Sequence, residues 1–234
     1  MSAKVRGNGV IVAIDGPSGA GKSSLTKLLA QRLGYIHIDT GAMFRSVALM
    51  AKRAGIACED EAALAGLCLG LSITFSRDAE SCRVLVNGED VSSAIRSEEI
   101  GLLTSRISAR KPVRDALLDM QRKMGEAGGV ILEGRDIGTV VFPDAEVKFF
   151  LSASAEERGR RRFLELAARG EEVTLEETIA KVVSRDQQDE GREHAPLKKA
   201  EDAISIDSTA LSIEEVLEIM ERAVRHKLQA AQGE

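Results

Sequence analysis

Aromatic side chains are scarce. They make up 3% of the 234 residues, with no tryptophan and one tyrosine. Proteins that grip single-stranded nucleic acid stack bases on aromatic faces, so such a platform is not expected. An excess of positive charge is also missing. Thirty-two Lys and Arg against 37 Asp and Glu leave a net charge of -5. That balance argues against a general phosphate-backbone footprint and hence against a nucleic-acid partner. Apolar runs are short, Val10–Ile14 among the longest. A membrane span needs about 20 such residues, so no membrane partner is expected. The first nine residues carry two basic side chains but no apolar stretch, and no signal peptide is expected. Only three cysteines occur, Cys58, Cys68 and Cys82, ten and fourteen residues apart. That is neither a disulfide framework nor a zinc spacing, and it reads as three reduced thiols in a cytoplasmic protein. His37, His194 and His226 are scattered without metal-ligand spacing. Repeats and low-complexity tracts are missing too.

What is present is the balance of a soluble globular chain, 44% hydrophobic and 29% charged. At roughly 150 residues per domain the length allows one or two domains. A chain this long buries enough surface to need no disulfide or metal staple. Apolar runs alternate with helical stretches, which predicts an α/β fold with a mainly parallel sheet flanked by helices. Strands are expected at Val10–Ile14, Tyr35–Ile38, Val130–Leu132, Val147–Leu151 and Ala203–Ile206. Helices are expected over Lys22–Leu33, Met43–Ala54 and residues 60–71, after Ser97, and from Pro112 as far as Gly128 and Gly129. Three S/T-x-x-E capping boxes, at Ser154, Thr174 and Ser212, start the later helices. The final helix should bury Ile213, Val216, Leu217, Met220 and Val224, with fraying beyond Leu228. Between residues 72 and 96 the character changes. Short strand-like pieces at Ser72–Phe75, Arg83–Val86 and Val91–Ile95, with the hairpin signal Asn87-Gly88, predict a small antiparallel insertion.

Residues Gly16–Ser23 read GPSGAGKS and fit G-x-x-x-x-G-K-[ST] at every fixed position. The run follows an expected strand and opens an expected helix, the context in which such a loop cradles phosphates. Its glycines let backbone N–H groups turn inward, and the helix N-terminus adds partial positive charge. Gly16, Pro17, Ser18, Gly19, Ala20, Gly21, Lys22, Ser23 and Ser24 are therefore the candidate residues for binding a nucleoside triphosphate. Lys22 supplies a mobile charge for the β- and γ-phosphates, and the Ser23 hydroxyl can reach a Mg²⁺ ion held with them.

Further on, Arg135 and Asp136 follow an apolar strand, where open α/β sheets bind ligands. Arg158, Arg160, Arg161 and Arg162 cluster on the helix opened by Ser154. Arg185, Asp186, Asp189 and Arg192 form R-D-x-x-D-x-x-R, with Arg185, Asp189 and Arg192 on one helix face. Charges at that spacing commonly form a solvated face. On a chain with a phosphate loop they also suit phosphoryl transfer, which relies on positioning and charge neutralisation, with the arginines on a closing lid.

The stretches IDGPSGAGK (14–22), DTGAMFR (39–45), VNGEDVS (86–92), EGRDIGTVVFP (133–143), Arg185 through Pro196, and DST (207–209) together resemble bacterial cytidylate kinases. These are P-loop nucleoside monophosphate (NMP) kinases, and the likeness runs from about Val10 to Leu228. The phosphate loop is shared by many families; the 134–143 stretch and the strand-rich insertion are more specific. The resemblance implies a P-loop NTPase core of residues 1–40, 115–157 and 197–234 that binds ATP. It further implies an NMP-binding region over 41–114 carrying the β insertion near 72–96, and a helical Arg-rich lid over 158–196. It assigns Thr40, Arg45, Arg135 and Arg192 to the acceptor phosphate, Ser105, Arg114 and Asp136 to cytosine, and Arg185 and Asp189 to the ribose. Arg161 and Arg162, with Lys22, would act on the transferring phosphoryl group. The chain departs from the family pattern at a few positions. Phe44 stands where a tyrosine is common, Thr40 where some members have serine, and Ser23 where some have glycine. Gln187 and Gln188 replace charged residues at positions read as outward-facing.

The implied activity is ATP-dependent phosphorylation of CMP and dCMP by a cytoplasmic monomer. Two other readings are a kinase of another small acceptor, such as a different NMP or shikimate, and a nucleotide-dependent switch. The 134–143 stretch and the insertion disfavour the first. The second lacks any separate sequence feature for a partner surface.

Overall fold

The structure, a computed structural model, describes residues 6–77 and 82–232. The chain divides into two compact units, Met1–His37 with Gly125–Glu234, and Ile38–Met124.

The first unit is built on β1 (Ile11–Asp15), β2 (Ile36–Asp39), β6 (Val130–Gly134), β7 (Val147–Ser152) and β8 (Ile204–Asp207), in the sheet order β2-β6-β1-β7-β8. β1 runs parallel to both β6 and β7, and β7 parallel to β8. Every residue of β1 and of β6 is buried, which is why both read as unbroken apolar runs rather than alternating ones. The helices here are α1 (Lys22–Leu33), α6 (Ala155–Ala167), α7 (Leu175–Glu190) and α8 (Ile213–Gln232). Leu25 and Leu29 of α1 and Val216, Leu217, Met220 and Val224 of α8 pack with Val12, Ile14, Phe149 and Leu151 in one core. Asp15 lies opposite Gly134 in the β1–β6 register. The loops that leave these two strands therefore start side by side at the carboxyl edge of the sheet, where α/β folds place their ligands.

The second unit holds α2 (Thr40–Arg53), α3 (Glu61–Leu69), α4 (Glu98–Ile107) and most of α5 (Lys111–Gly125). It also carries an antiparallel sheet of β3 (Ile73–Arg77), β4 (Cys82–Val86) and β5 (Glu89–Asp90). Asn87 and Gly88 both have positive φ, 50° and 86°, as a tight two-residue hairpin turn requires.

Several expectations need correction. Val91–Ile95 is not a strand. Asp90 Oδ1 accepts from the Ser92 N–H and hydroxyl, turning the chain into a 3₁₀ turn at Ala94–Arg96. α2 starts three residues early because Asp39 caps it, accepting from Ala42 N. Ser154 accepts from Glu157 N, but the Glu157 carboxylate is taken by Arg160 and Arg161 instead of closing the box. The boxes at Thr174 and Ser212 are complete. Ile213 is exposed, not buried, and α8 remains helical past Leu228 to Gln232. α7 ends at Glu190 with Gly191 as its cap, so Arg192 lies beyond the helix rather than on its face. Cys58 and Cys68 are free and buried; the Cys82 side chain and residues 1–5 lie outside the described residues.

Candidate active site

The phosphate loop leaves β1 through a backbone that tolerates no side chain at its first residue. Gly16 has φ 148°, and a Cβ there would stand 1.9 Å from the Leu151 carbonyl oxygen. The loop ends at Gly21, the left-handed N-cap of α1, so the unpaired N–H groups of the first helical turn face the loop. Lys22 does not extend freely into solvent, as a mobile charge would. It is 6% exposed, and its Nζ donates to Gly16 O at 2.8 Å and Pro17 O at 2.6 Å. Burial lowers its pKa to about 7, with the charge of Arg135 adding to the effect and Glu133, Asp15 and Asp189 opposing it.

Ser23 donates to Glu133 Oε2 at 2.8 Å, and the other oxygen of Glu133 lies 2.9 Å from His37 Nε2. Glu133 is buried and sits near the end of β6. Asp15, the last residue of β1, accepts from Ile137 N and Gly138 N, at 2.8 and 2.7 Å. It thereby fixes the chain just after Arg135 and Asp136, where a π-helical turn spans Ile137–Val141. Burial, and less strongly the neighbouring Asp136 charge, raises the Asp15 pKa to about 6. Glu133, His37 and Asp15 were not among the sequence candidates. The available signal was an acidic residue closing each of two buried apolar strands.

Arg135 Nε donates to Asp189 Oδ2 at 2.7 Å, and Arg192 donates to the other oxygen of Asp189. Asp189 is 1% exposed. Burial pushes its pKa up, but Arg135, Arg192 and Arg185 outweigh that and hold it below the usual carboxylate range. Four of the predicted substrate residues, Arg135, Arg185, Asp189 and Arg192, are thus brought together electrostatically. Asp136 is buried immediately beside them in sequence.

The arginines of α6 divide sharply. Arg161 Nε is bound to Glu157, and its two terminal nitrogens donate to the Ser208 hydroxyl and carbonyl, at 3.2 and 2.8 Å. Arg162 pairs with Glu165 and Arg160 with Glu157, both on the helix exterior. Arg158 is instead buried and bound to Asp186. Two arginines draw the Glu157 pKa down to about 2, Arg160 more strongly than Arg161.

In the second unit, Thr40 is buried in the first turn of α2. Arg45 Nη2 donates to Asp39 Oδ2 at 2.8 Å. Arg114 Nη1 donates to Ser108 O at 3.1 Å, and its guanidinium lies 5.5 Å from the Phe44 ring centroid. That cation–π contact places Phe44 against Arg114. Ser105 is half-buried on α4, and its carbonyl accepts from the Ser108 hydroxyl.

A parallel sheet, a glycine-rich loop opening a helix and a buried lysine on that loop define a P-loop nucleotide-binding protein. A family model for cytidylate kinase matches residues 12–226. The chain is 81% identical to the cytidylate kinase of Geobacter sp. (strain M21), covering 98% of each chain. It is 79% identical to that of Citrifermentans bemidjiense, over 100% of this chain and 99% of the relative. It is 69% identical to that of Geobacter sulfurreducens over 100% of both. The chain belongs to the cytidylate kinase family.

Proposed function

We propose that the protein transfers the γ-phosphoryl group of ATP to CMP and dCMP, giving ADP with CDP or dCDP. The observation that carries this reading is the Asp15–Gly134 pairing. It starts the phosphate loop and the Arg135-Asp136 segment on adjacent strand ends, which supports seating donor and acceptor at one sheet edge. An oxygen of the acceptor phosphate attacks the γ-phosphorus in line. The bond to the β,γ-bridging oxygen breaks and ADP leaves. The acceptor phosphate is largely ionised at pH 7, so no general base is needed. Charge must be neutralised and water kept out, since water would otherwise take the phosphoryl group.

The N–H groups of Gly16–Ser24 suit the ATP phosphates. Lys22 would exchange two loop carbonyls for phosphate oxygens, which favour its charged form. Arg161 and Arg162 are proposed for the transferring phosphoryl group, exchanging their carboxylate partners for it. Residues 158–196 would act as the lid, residues 41–114 as the NMP-binding region, and residues 1–40, 115–157 and 197–234 as the ATP core. Within the first unit, Arg135 and Arg192 are proposed for the acceptor phosphate, Arg185 and Asp189 for the ribose, and Asp136 for the base. Within the second, Thr40 and Arg45 are proposed for the acceptor phosphate, and Ser105 and Arg114 for cytosine. A carboxylate at Asp136 would accept from the cytosine N4 amino group but meet the O4 carbonyl of uracil. Asp136→Ala should therefore shrink the CMP-to-UMP ratio of kcat/KM.

Mg²⁺ fits the residues present. Ser23 and Glu133 offer hard oxygen donors beside the loop, and Mg²⁺ on ATP needs only one or two protein oxygens besides phosphate and water. Ser23 would hold it, with Glu133 orienting the hydroxyl, and the ion would supply neutralisation of phosphate charge. A cytoplasmic monomer acting on small nucleotides, without nucleic acid or membrane, completes the reading. Among the described residues no helix is long and apolar enough to cross a membrane. ADP release measured against a panel of monophosphates tests the proposal.

A further inference from the structure

Arg158 differs from its neighbours on α6. Its side chain is 6% exposed, against 57%, 28% and 39% for Arg160, Arg161 and Arg162. Nε donates to Ala153 O at 2.9 Å. Nη1 donates both to Ser18 O and to Asp186 Oδ1, each at 3.1 Å, and Nη2 donates to Asp186 Oδ2 at 2.6 Å. Four of the five guanidinium hydrogens thus have protein partners. Such a group cannot swing to a ligand without leaving the Asp186 carboxylate unpaired in a low-dielectric setting. Its role is to hold something in place.

What it holds is the turn of the phosphate loop. Gly19 lies so close to α6 that a Cβ there would stand 3.2 Å from Arg158 Cβ and 3.3 Å from its carbonyl oxygen. α6 is in turn pressed onto α7: a Cβ on Gly159 would reach 2.4 Å from Ile179 Cγ1. Asp186 is on α7, one residue after Arg185 and three before Asp189, whose carboxylate gathers Arg135 and Arg192. The loop carbonyl, the guanidinium, the carboxylate and the arginine-holding turn of α7 form one continuous connection.

We propose that Arg158 and Asp186 are positioning residues that couple the two substrates. They tie the Ser18–Gly19 segment of the phosphate loop to α7. A monophosphate seated on the Arg185–Asp189 side of α7 thereby raises the affinity of the loop for the triphosphate, and the reverse holds by the same factor. A two-point guanidinium–carboxylate fork resists rotation about either bond, so a shift of α7 is passed to Ser18 as a displacement; a single-point ammonium contact would not do this. The inference rests on the phosphotransferase reading above.

The test is calorimetric titration of a non-hydrolysable ATP analogue (AMP-PNP, with Mg²⁺) into the protein, with and without CMP. In the unsubstituted protein CMP should tighten the analogue on the order of tenfold, within the range of coupled sites. In Asp186→Asn and in Arg158→Lys that factor should fall towards one, with the affinity for the analogue alone changing less than about threefold. Asp186→Asn keeps the side-chain shape, and Arg158→Lys keeps the charge but loses the fork. Each is checked by its melting curve, and either alone suffices if the other fails to fold. No coupling in the unsubstituted protein overturns the proposal, whatever the variants do. So does coupling preserved in a folded variant, or loss of analogue affinity with coupling unchanged. CDP formation by the unsubstituted protein, assayed separately, shows whether a failure lies in the coupling or in the phosphotransferase reading.

Discussion

Ser23 and Glu133 are 110 residues apart in the chain, and the Ser23 hydroxyl donates to Glu133 Oε2 at 2.8 Å. The parallel register of β1 and β6 creates this meeting, because it sets Ile14 opposite Glu133 at the end of the strand that feeds the loop. His37 occupies the second carboxylate oxygen, so Glu133 is held from both sides. If Ser23 holds Mg²⁺ as proposed, Glu133 orients it from the outer shell, and losing such a partner typically weakens metal use 10- to 100-fold. Glu133→Gln should raise the Mg²⁺ concentration for half-maximal rate by about tenfold or more. A Mg²⁺ titration of the initial rate checks this, and an unmoved midpoint would show that Glu133 has no part in metal use.

Lys22→Ala should lower kcat by on the order of 10²–10³, the usual effect of removing one charge-stabilising group at a reacting centre. The fold should survive. The Lys22 Nζ hydrogen bonds go to Gly16 O and Pro17 O of its own loop rather than to a strand or helix ladder. Near-normal turnover in a variant with a native melting curve would contradict the assigned role.

Arg162 and Arg158 should respond in opposite ways. Arg162 is 39% exposed and paired with an exposed Glu165, a contact worth about 0–1 kcal/mol to folding. Arg162→Ala should melt within a few degrees of the unsubstituted protein and turn over slowly. Arg158→Ala breaks a buried pair, which typically costs 3–5 kcal/mol, and should melt well below it. Comparable melting temperatures for the two variants would refute this division of the α6 arginines.

Asp15 gives a pH signature with an unusual sign. Its folded pKa is raised from 3.8 to about 6, chiefly by burial, so the folded chain holds this proton more tightly than the unfolded chain. The stability it contributes is full below about pH 4 and is lost as the pH rises towards 6, by an amount of about 3 kcal/mol. Asp15→Asn removes the titration. The melting temperature of the unsubstituted protein minus that of the variant should fall between pH 4 and 6 and be flat above 7. A difference that rises with pH over that window would show the shift to be in the other direction.

Much of this was legible in the sequence because the signals were local. Helix α1 spans Lys22–Leu33, as its apolar spacing predicts. The hairpin at Asn87-Gly88 follows from two residues that accept positive φ. Errors arose where a side chain could choose among partners. Asp90 turned the chain after β5 instead of leaving it extended, and Glu157 preferred two arginines to its own helix cap. The Ser23–Glu133–His37 contacts and the Arg158–Asp186 pair were invisible for a different reason. Each joins residues separated by strand order or by helix packing, and no spacing along the chain encodes them. The four arginines at 158, 160, 161 and 162 look equivalent by pattern, and only burial separates Arg158 from Arg161 and Arg162.

The most direct test is CDP and ADP formation measured as kcat/KM for CMP, dCMP, UMP, AMP and shikimate at fixed Mg²⁺–ATP. CMP and dCMP should be converted with equal yields of nucleoside diphosphate and ADP. UMP should be slower by a large factor, since a site that hydrogen-bonds a specific polar group can discriminate by up to ~10⁴. AMP and shikimate should give no acceptor-dependent ADP. ADP released at one rate whatever the acceptor, or a better rate with any of the other three, would contradict the assignment.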